Sequence, residues 1–230
     1  MPVFRLSEAL IFPPPHLARK DGLLGVGGDL SSQRLILAYQ NGIFPWFSRG
    51  EPFLWWSPDP RMILYPRSIN ISRSLGKCIR KKQFNITMDN CFNKVITACA
   101  RSRTEQGEDT WLVDGMIPAY THLHEKRIAH SVEAWQDNEL VGGLYGISLG
   151  RTFFGESMFS LVSNSSKVAL VALCHHLTAL KFDLIDCQVA TTHLASMGAV
   201  DIPRSLFIQK LTRSLNRKPV KGPWSFNGFF

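Results

Sequence analysis

The order of the predicted secondary-structure elements after residue 61 constrains the fold of this chain more than any other feature. Three consecutive segments have the composition and alternation of strands, and the turn residues Asp137 and Asn138 join the first two: HSVEAWQ, ELVGGLYGIS and RTFFGESMFS. A long helical segment, SKVALVALCHHLTAL, follows, and after it come a buried strand, LIDCQV, and a short helix, HLASMG. Strands joined by short turns pair antiparallel, so this order predicts an α+β fold with helices over a mainly antiparallel sheet.

The first 61 residues have a different character. They are rich in Pro, Gly and Trp, and they contain one clear helix, QRLILAYQ, with Ser31 or Ser32 as its N-cap and Asn41-Gly42 at its end. We therefore predict a small, irregular N-terminal domain over residues 1–61 and a larger domain over residues 62–230.

Composition limits the classes of protein to which the chain can belong. Hydrophobic residues are 45% of its 230 residues and charged residues 19%, which is typical of a globular protein. The start of the chain carries Glu8 and a Pro triplet where a secretion signal needs an apolar core, and no segment has the ~18 apolar residues of a membrane span. Five cysteines without a C-x-x-C pair are typical of reduced thiols. We expect a cytoplasmic protein without a membrane partner.

Positive charge is clustered in one predicted helix. The formal net charge is +8, and the segment RSLGKCIRKKQ places five basic residues within ten positions: Arg73, Lys77, Arg80, Lys81 and Lys82. Four of them, all except Lys82, share one helical face by their spacing. Two interpretations remain open, a phosphate-binding patch and an ordinary solvated helix face.

Polar residues interrupt two otherwise apolar predicted strands. Asp186 and Gln188 lie two apart in LIDCQV, so they stand on one face about 7 Å from each other. In TFFGESMFS, Glu156 shares a strand face with Phe154 and Met158. Burying a carboxylate or an amide costs free energy unless it finds a partner. The residues are therefore either satisfied structural groups or the polar part of a small-substrate pocket.

Two further patterns carry no chemistry. GISLG matches the G-x-S-x-G nucleophile elbow, but a predicted strand follows it instead of a helix, which places Ser148 in a hairpin turn. Cys174, His175 and His176 are neighbours on a helix, so their side chains diverge and cannot close on one metal ion. We predict no metal site.

Several stretches together resemble the leucyl/phenylalanyl-tRNA–protein transferases. They occur in collinear order between Gly22 and about Phe207: YQNGIFPWF, WWSPDPR, TWLVDGMIPAY, HSVEAW, ELVGGLYG, FFGESMFS and LIDCQ…HLASMGA. The chain departs from the resemblance at Leu144, Leu173 and Leu177, where relatives carry bulkier Met or Phe side chains. The tail KPVKGPWSFNGFF lies outside the resemblance.

The resemblance implies an enzyme that moves Leu, Phe or Met from aminoacyl-tRNA to the N-terminal amine of proteins beginning with Arg or Lys, which marks them for degradation by the N-end rule. It implies a small N-terminal domain joined to an acyl-CoA N-acyltransferase-like domain. We expect a monomer and, because the aminoacyl ester is already activated, no cofactor. The R/Q-x-x-G-x-G/A pyrophosphate loop of CoA users is missing between Phe159 and Lys167, which favours tRNA as the acyl carrier. The alternative is a tRNA- or RNA-binding protein without catalysis.

The resemblance also assigns roles to residues. It places Asp186 and Gln188 at the reacting amine, with Glu156 nearby. Gln188 cannot titrate and so positions the amine, whereas Asp186 either polarises Gln188 or collects the proton after attack. Trp46 and Trp111 are candidates for stacking on the terminal adenine of tRNA. The candidates for the aminoacyl side-chain pocket are Leu144, Phe153, Met158, Leu170, Leu173 and Leu177, and those for tRNA phosphates are Arg73, Lys77, Arg80, Lys81 and Lys82.

Overall fold

The computed structural model describes residues 3–105, 115–220 and 222–226. The strands are β1 Phe4–Leu6, β2 Leu23–Gly27, β3 Phe44–Pro45, β4 Leu54–Trp56, β5 Arg61–Leu64, β6 Asn85–Met88, β7 Ala129–Gln136, β8 Glu139–Leu149, β9 Thr152–Ser160, β10 Leu184–Gln188 and β11 Val200–Ile202. The helices are α1 Ser32–Gln40, α2 Arg73–Arg80, α3 Phe92–Glu105, α4 Met116–Glu125, α5 Ser165–Ala179, α6 Thr192–Ser196 and α7 Arg204–Leu215.

The N-terminal region contains a small sheet in the order β1-β2-β4-β3, beside α1. The Ser31 hydroxyl accepts the N–H of Arg34 at 3.3 Å, so Ser31 is the N-cap of α1. The small N-terminal region predicted from the sequence contains this sheet of very short strands in addition to its one helix. Its strands have two to five residues each, and such short segments, interrupted by Gly, Pro and Trp, do not show an alternating pattern in the sequence.

The larger sheet has seven strands in the order β11-β5-β10-β9-β8-β7-β6, and every neighbouring pair is antiparallel except β9 and β10. A first core, between the sheet and α3, α4 and α7, also includes the N-terminal sheet and α1. A second core lies between the opposite face of the sheet and α2 and α5. The predicted α+β fold, with helices on a mainly antiparallel sheet, is confirmed.

The N-terminal region packs directly onto the larger sheet. The rings of Tyr39 in α1 and Phe154 in β9 have centroids 5.1 Å apart within the first core. Arg61, the first residue of β5, already belongs to the larger sheet. We propose that the two domains meet between Trp56 and Arg61, close to the boundary predicted after residue 61.

A β-bulge in β9 changes which side chains share a face. Gly146 pairs with Gly155 and Tyr145 pairs with Ser157, so Glu156 is one extra residue in β9. As a result, Met158 packs on the second core together with Phe153, while Phe154 lies in the first core. The prediction that Met158 shares a face with Phe154 is therefore wrong, because a bulge shifts the alternation by one residue. Ser148 lies in β8 and not in the turn, although the following element is a strand as predicted.

Candidate active site

The site forms where the parallel pairing of β9 with β10 comes to an end. This pairing runs from Leu184–Thr152 to Asp186–Phe154, and the register ends there although both strands continue. A cavity of about 460 Å³ lies beyond this point, and Glu156 and Gln188 are among the side chains that line it. This volume is within the range of small-molecule pockets.

Most of the residues predicted for the acyl pocket lie together at this cavity. Five of its six candidates line the cavity, and all five are apolar: Leu144, Phe153, Met158, Leu170 and Leu173. Leu177 is not among the lining side chains of the described residues. It lies one turn after Leu173 on α5 and is fully buried in the second core, because the cavity does not extend that far along the helix.

One of the two predicted stacking residues stands at the cavity. Trp46 lines it and is 43% exposed, and its ring centroid lies 5.6 Å from that of Trp56. The indole N–H of Trp56 donates to the Trp46 carbonyl at 2.6 Å, which holds the backbone of Trp46 in place. Trp111 lies outside the described residues.

Glu156 connects the cavity to a buried chain of hydroxyl groups. Gln188 Nε2 donates to Glu156 Oε1 at 2.9 Å, and the Tyr120 hydroxyl donates to Oε2 at 2.9 Å. The Tyr39 hydroxyl lies 2.5 Å from that of Tyr120. Burial raises the pKa of Glu156 from 4.5 to about 7; the charge of Asp186 adds to the rise, and the hydrogen bonds from Tyr39, Tyr120 and Gln188 oppose it. A carboxyl group of this kind can hold or release a proton near neutral pH.

Asp186 has a different environment and does not line the cavity. Its side chain is fully buried, and its two oxygens accept hydrogen bonds from Arg61 Nε and Nη2, each at 2.7 Å. The guanidinium carbon of Arg61 lies 4.8 Å from the ring centroid of Phe44 and 4.7 Å from that of Phe207. The ion pair is therefore bidentate and lies between two aromatic rings, and bidentate Arg–carboxylate pairs are among the strongest hydrogen-bonded contacts in proteins.

Asp186 holds Gln188 through the backbone. Its Oδ1 accepts the N–H of Gln188 at 3.0 Å, while the Gln188 side chain binds Glu156. Gln188 has φ of 63°, and Cys187 is one extra residue in β10 opposite β5. A positive φ is unfavourable for Gln, so the contact with Asp186 stabilises the conformation that directs the Gln188 amide to Glu156.

Three residues of this site were not predicted. Arg61 stands at the head of the apolar run MIL, and a charged residue beside a buried strand was the available signal. Tyr39 and Tyr120 lie on buried faces of α1 and α4 with their hydroxyls inside the core, and a buried Tyr normally needs a polar partner. Sequence could not show that these residues converge on Glu156 and Asp186.

The basic cluster forms an exposed surface. Leu75 and Cys78 bury one face of α2 in the second core, and all five predicted basic residues are exposed in α2 or directly after it. Within the described part of the chain, four of them have no carboxylate partner: Arg73, Lys77, Arg80 and Lys81. Their charge is thus not offset by a neighbouring acidic side chain.

Neither a membrane-spanning helix nor a metal-binding cluster occurs in the described ranges. None of the helices there combines the length and apolar character needed to cross a membrane. No three His, Cys, Asp or Glu side chains there come together in a way that could hold a metal ion.

The fold and the site define a class of α+β protein with a largely apolar cavity in the gap between two strands, where an amide and a carboxyl group are hydrogen-bonded to each other. Family comparison is more specific. The chain matches the leucyl/phenylalanyl-tRNA protein transferase family over residues 63–212 and the N-terminal domain of the same family over residues 28–59. The chain belongs to this family.

Individual relatives are similar to this chain over nearly its whole length. The leucyl/phenylalanyl-tRNA–protein transferase of Desulforapulum autotrophicum is 61% identical over 229 residues, 100% of both chains. The protein of the same name from Desulfatibacillum aliphaticivorans is 56% identical over 225 residues, 98% of this chain and 97% of that one. Among solved structures, an aminoglycoside acetyltransferase from an uncultured soil metagenomic sample has a TM-score of 0.40 at 13% identity, covering 62% of this chain and 95% of that one.

Proposed function

We propose that this chain is an aminoacyltransferase that moves Leu, Phe or Met from aminoacyl-tRNA to the N-terminal α-amine of proteins beginning with Arg or Lys. Membership of the transferase family supports the reaction class. The observation that carries the proposal is the Gln188–Glu156 hydrogen bond at an apolar cavity, because it joins a group that can orient an amine to a pocket that can hold the acyl side chain.

The cavity suits an apolar aminoacyl group. Leu144, Phe153, Met158, Leu170 and Leu173 offer dispersion contacts and no hydrogen-bonding groups, so Leu, Phe and Met enter without an unpartnered polar atom. Trp46 at the same cavity offers a ring face for the terminal adenine, since every base can stack on an aromatic side chain.

Gln188 positions the attacking amine. Its Nε2 is used by Glu156, which leaves Oε1 to accept an N–H from the incoming α-amine. A free α-amine has a pKa of about 7.7–8.0, so near neutral pH a fair fraction is already uncharged and mainly needs orientation. The amine nitrogen attacks the ester carbonyl carbon, the tetrahedral intermediate breaks its bond to the ribose oxygen, and the proton lost from nitrogen balances the one gained by that oxygen.

The two carboxyl groups divide the supporting roles. Glu156, with its pKa near 7, fixes the Gln188 amide and is the group able to hold a proton during transfer. Both oxygens of Asp186 are occupied by Arg61, so we assign Asp186 the role of a positioning residue that acts on the Gln188 backbone and not that of a base.

The remaining parts of the proposal concern partners. The exposed basic residues of α2 and the turn after it bind acceptor-stem phosphates without reading base sequence. The protein acts as a monomer in the cytoplasm and marks its acceptor proteins for degradation. The reaction needs only aminoacyl-tRNA and an acceptor protein. The aminoacyl ester is already activated, so no cofactor enters the proposal.

One assay tests the proposal. The protein is incubated with labelled Leu-tRNA and a peptide that begins with Arg, and the extended peptide is measured. We expect transfer by the wild type, loss of transfer in Gln188→Ala with tRNA affinity retained, and no change in Gln209→Ala, which removes an exposed glutamine from α7. Binding of tRNA without transfer by the wild type would favour the alternative, a non-catalytic RNA-binding protein.

A further inference from the structure

The last described residues of the chain lie against the second core. We call residues 216–220 and 222–226 the strap. Its apolar residues Val220, Trp224 and Phe226 pack against the core between the sheet and α5, and Trp224 is only 4% exposed. The strap follows the segment matched by the transferase family, which ends at residue 212. The function proposed above assigns it no role.

Trp224 is held at a defined position. Its ring stacks on that of His130 in β7, with centroids 3.9 Å apart and planes 4° from parallel. Its backbone N–H donates to Asp89 Oδ2 at 2.7 Å, and His130 Nδ1 lies 2.8 Å from the same oxygen. Asp89 Oδ1 also accepts the N–H of Ser131 at 3.0 Å. One carboxylate thus ties the strap to the sheet.

Trp224 stands directly behind one wall of the cavity. Its ring centroid lies 5.7 Å from that of Phe153 and 4.9 Å from that of His176 on α5. Phe153 lines the cavity, and Leu173, which also lines it, lies three residues before His176 on the same helix. Trp224 itself does not line the cavity, so any effect on a bound acyl group must pass through Phe153 or α5.

Phe153 is closely confined on another side. A Cβ atom placed on Gly146 would lie 2.6 Å from Cε1 and from Cζ of the Phe153 ring. The ring therefore already touches the β8 backbone and cannot shift further toward it. If the indole of Trp224 were removed, the space behind Phe153 would become the direction in which its ring can move.

We infer that Trp224 is a positioning residue that sets the depth of the acyl pocket by holding Phe153, an inference that rests on the proposed transfer of Leu and Phe. In Trp224→Ala the Phe153 ring retreats and the cavity deepens. A Leu side chain then loses contacts, whereas the larger Phe side chain fills the added space. The ratio of kcat/KM for Phe-tRNA to that for Leu-tRNA should rise about tenfold, which is the lower end of the discrimination that one methylene group gives in an apolar pocket.

The test compares Trp224→Ala, Trp224→Phe and a control, Ile86→Ala. Ile86 lies in the second core on β6 and pairs with Ala134 of β7, four residues along that strand from His130, so it controls for general loss of packing. The indole nitrogen of Trp224 has no hydrogen-bond partner among the described residues, so a phenyl ring replaces it without loss of a hydrogen bond. We expect a smaller shift of the ratio in the same direction for Trp224→Phe, and an unchanged ratio in Ile86→Ala.

Binding of leucine methyl ester and phenylalanine methyl ester, followed by NMR, gives a readout that does not need catalysis. The phenylalanine ester should gain relative affinity in both Trp224 variants. If the wild type transfers neither residue but the ester preference shifts, the proposed function fails and the role of Trp224 stands. If transfer is observed and all variants keep the wild-type Phe-to-Leu ratio and ester preference, Trp224 is only structural and the inference is overturned. If Trp224→Ala does not fold, Trp224→Phe distinguishes the same two outcomes.

Discussion

Replacing Glu156 by Gln tests whether this buried carboxyl group titrates near neutral pH. Burial raises its pKa from 4.5 to about 7, so the folded protein binds a proton at this group more tightly than the unfolded chain does. A group whose pKa is raised by folding adds stability that is fully present below the unfolded pKa and is lost as the pH rises through the folded pKa. The wild type should therefore lose this contribution mainly between pH 5 and pH 8, and Glu156→Gln has no such contribution to lose.

The magnitude follows from the pKa interval. Each pKa unit is worth about 1.4 kcal/mol, so the interval from 4.5 to about 7 corresponds to about 3 kcal/mol in the free energy of unfolding, most of it lost between pH 5 and pH 8. Glu156 is 7% exposed, so solvent screens this contribution only weakly. The wild type should thus be favoured relative to the variant at pH 5 by about 2–3 kcal/mol more than at pH 8.

Urea unfolding of both proteins at pH 5 and at pH 8 measures this double difference. Effects of the substitution that do not depend on pH cancel in it, including the altered hydrogen bonds to Tyr120 and Gln188. The pH-dependent contributions of the other titratable groups to the free energy of unfolding cancel as well, because both proteins carry those groups. A double difference below about 1 kcal/mol, or one of opposite sign, would refute the assignment of a raised pKa to Glu156.

Three further predictions follow from the same geometry. Arg61→Ala leaves Asp186 buried without its partner and should reduce the free energy of unfolding by about 3–5 kcal/mol in urea; a loss under about 1 kcal/mol would contradict the buried pair. Met158→Ala widens the cavity and should reduce Leu transfer more than Phe transfer in a competition assay, whereas equal losses would remove Met158 from the acyl pocket. The triple variant Lys77→Ala/Arg80→Ala/Lys81→Ala should flatten the slope of log tRNA affinity against log salt by roughly 0.7 to 0.9 for each phosphate contact that is lost. An unchanged slope would indicate that these residues form only a solvated helix face.

The long elements of the larger domain could be predicted from sequence because their patterns are strong. β7, β8 and β9 have eight to eleven residues each, and α5 has fifteen. Over such lengths, hydrophobic alternation or a helical stripe is repeated often enough to be distinguished from chance. The Leu170 and Leu173 positions on α5 follow from this stripe, and both line the cavity.

The features that give the site its chemistry could not be predicted, because they depend on contacts between distant parts of the chain. Arg61 and Asp186 are 125 residues apart, and Tyr39 and Tyr120 are 81 apart. The bulges at Glu156 and Cys187 are likewise defined by the register with a partner strand, which no local pattern specifies. The sequence thus identifies polar residues in apolar strands, but not which of them meet.

The two bulges explain why a neutral amide and a carboxyl group meet where the parallel pairing ends. Each one inserts a residue into a strand next to the gap between β9 and β10, and each changes the direction of the side chains that follow. In β9 the bulge residue is Glu156 itself; in β10 the residue after the bulge is Gln188. Without the bulge in β9, strict alternation would place Met158 on the face of Phe154, away from the cavity. The bulges therefore produce both the polar contact between Glu156 and Gln188 and the apolar wall beside it.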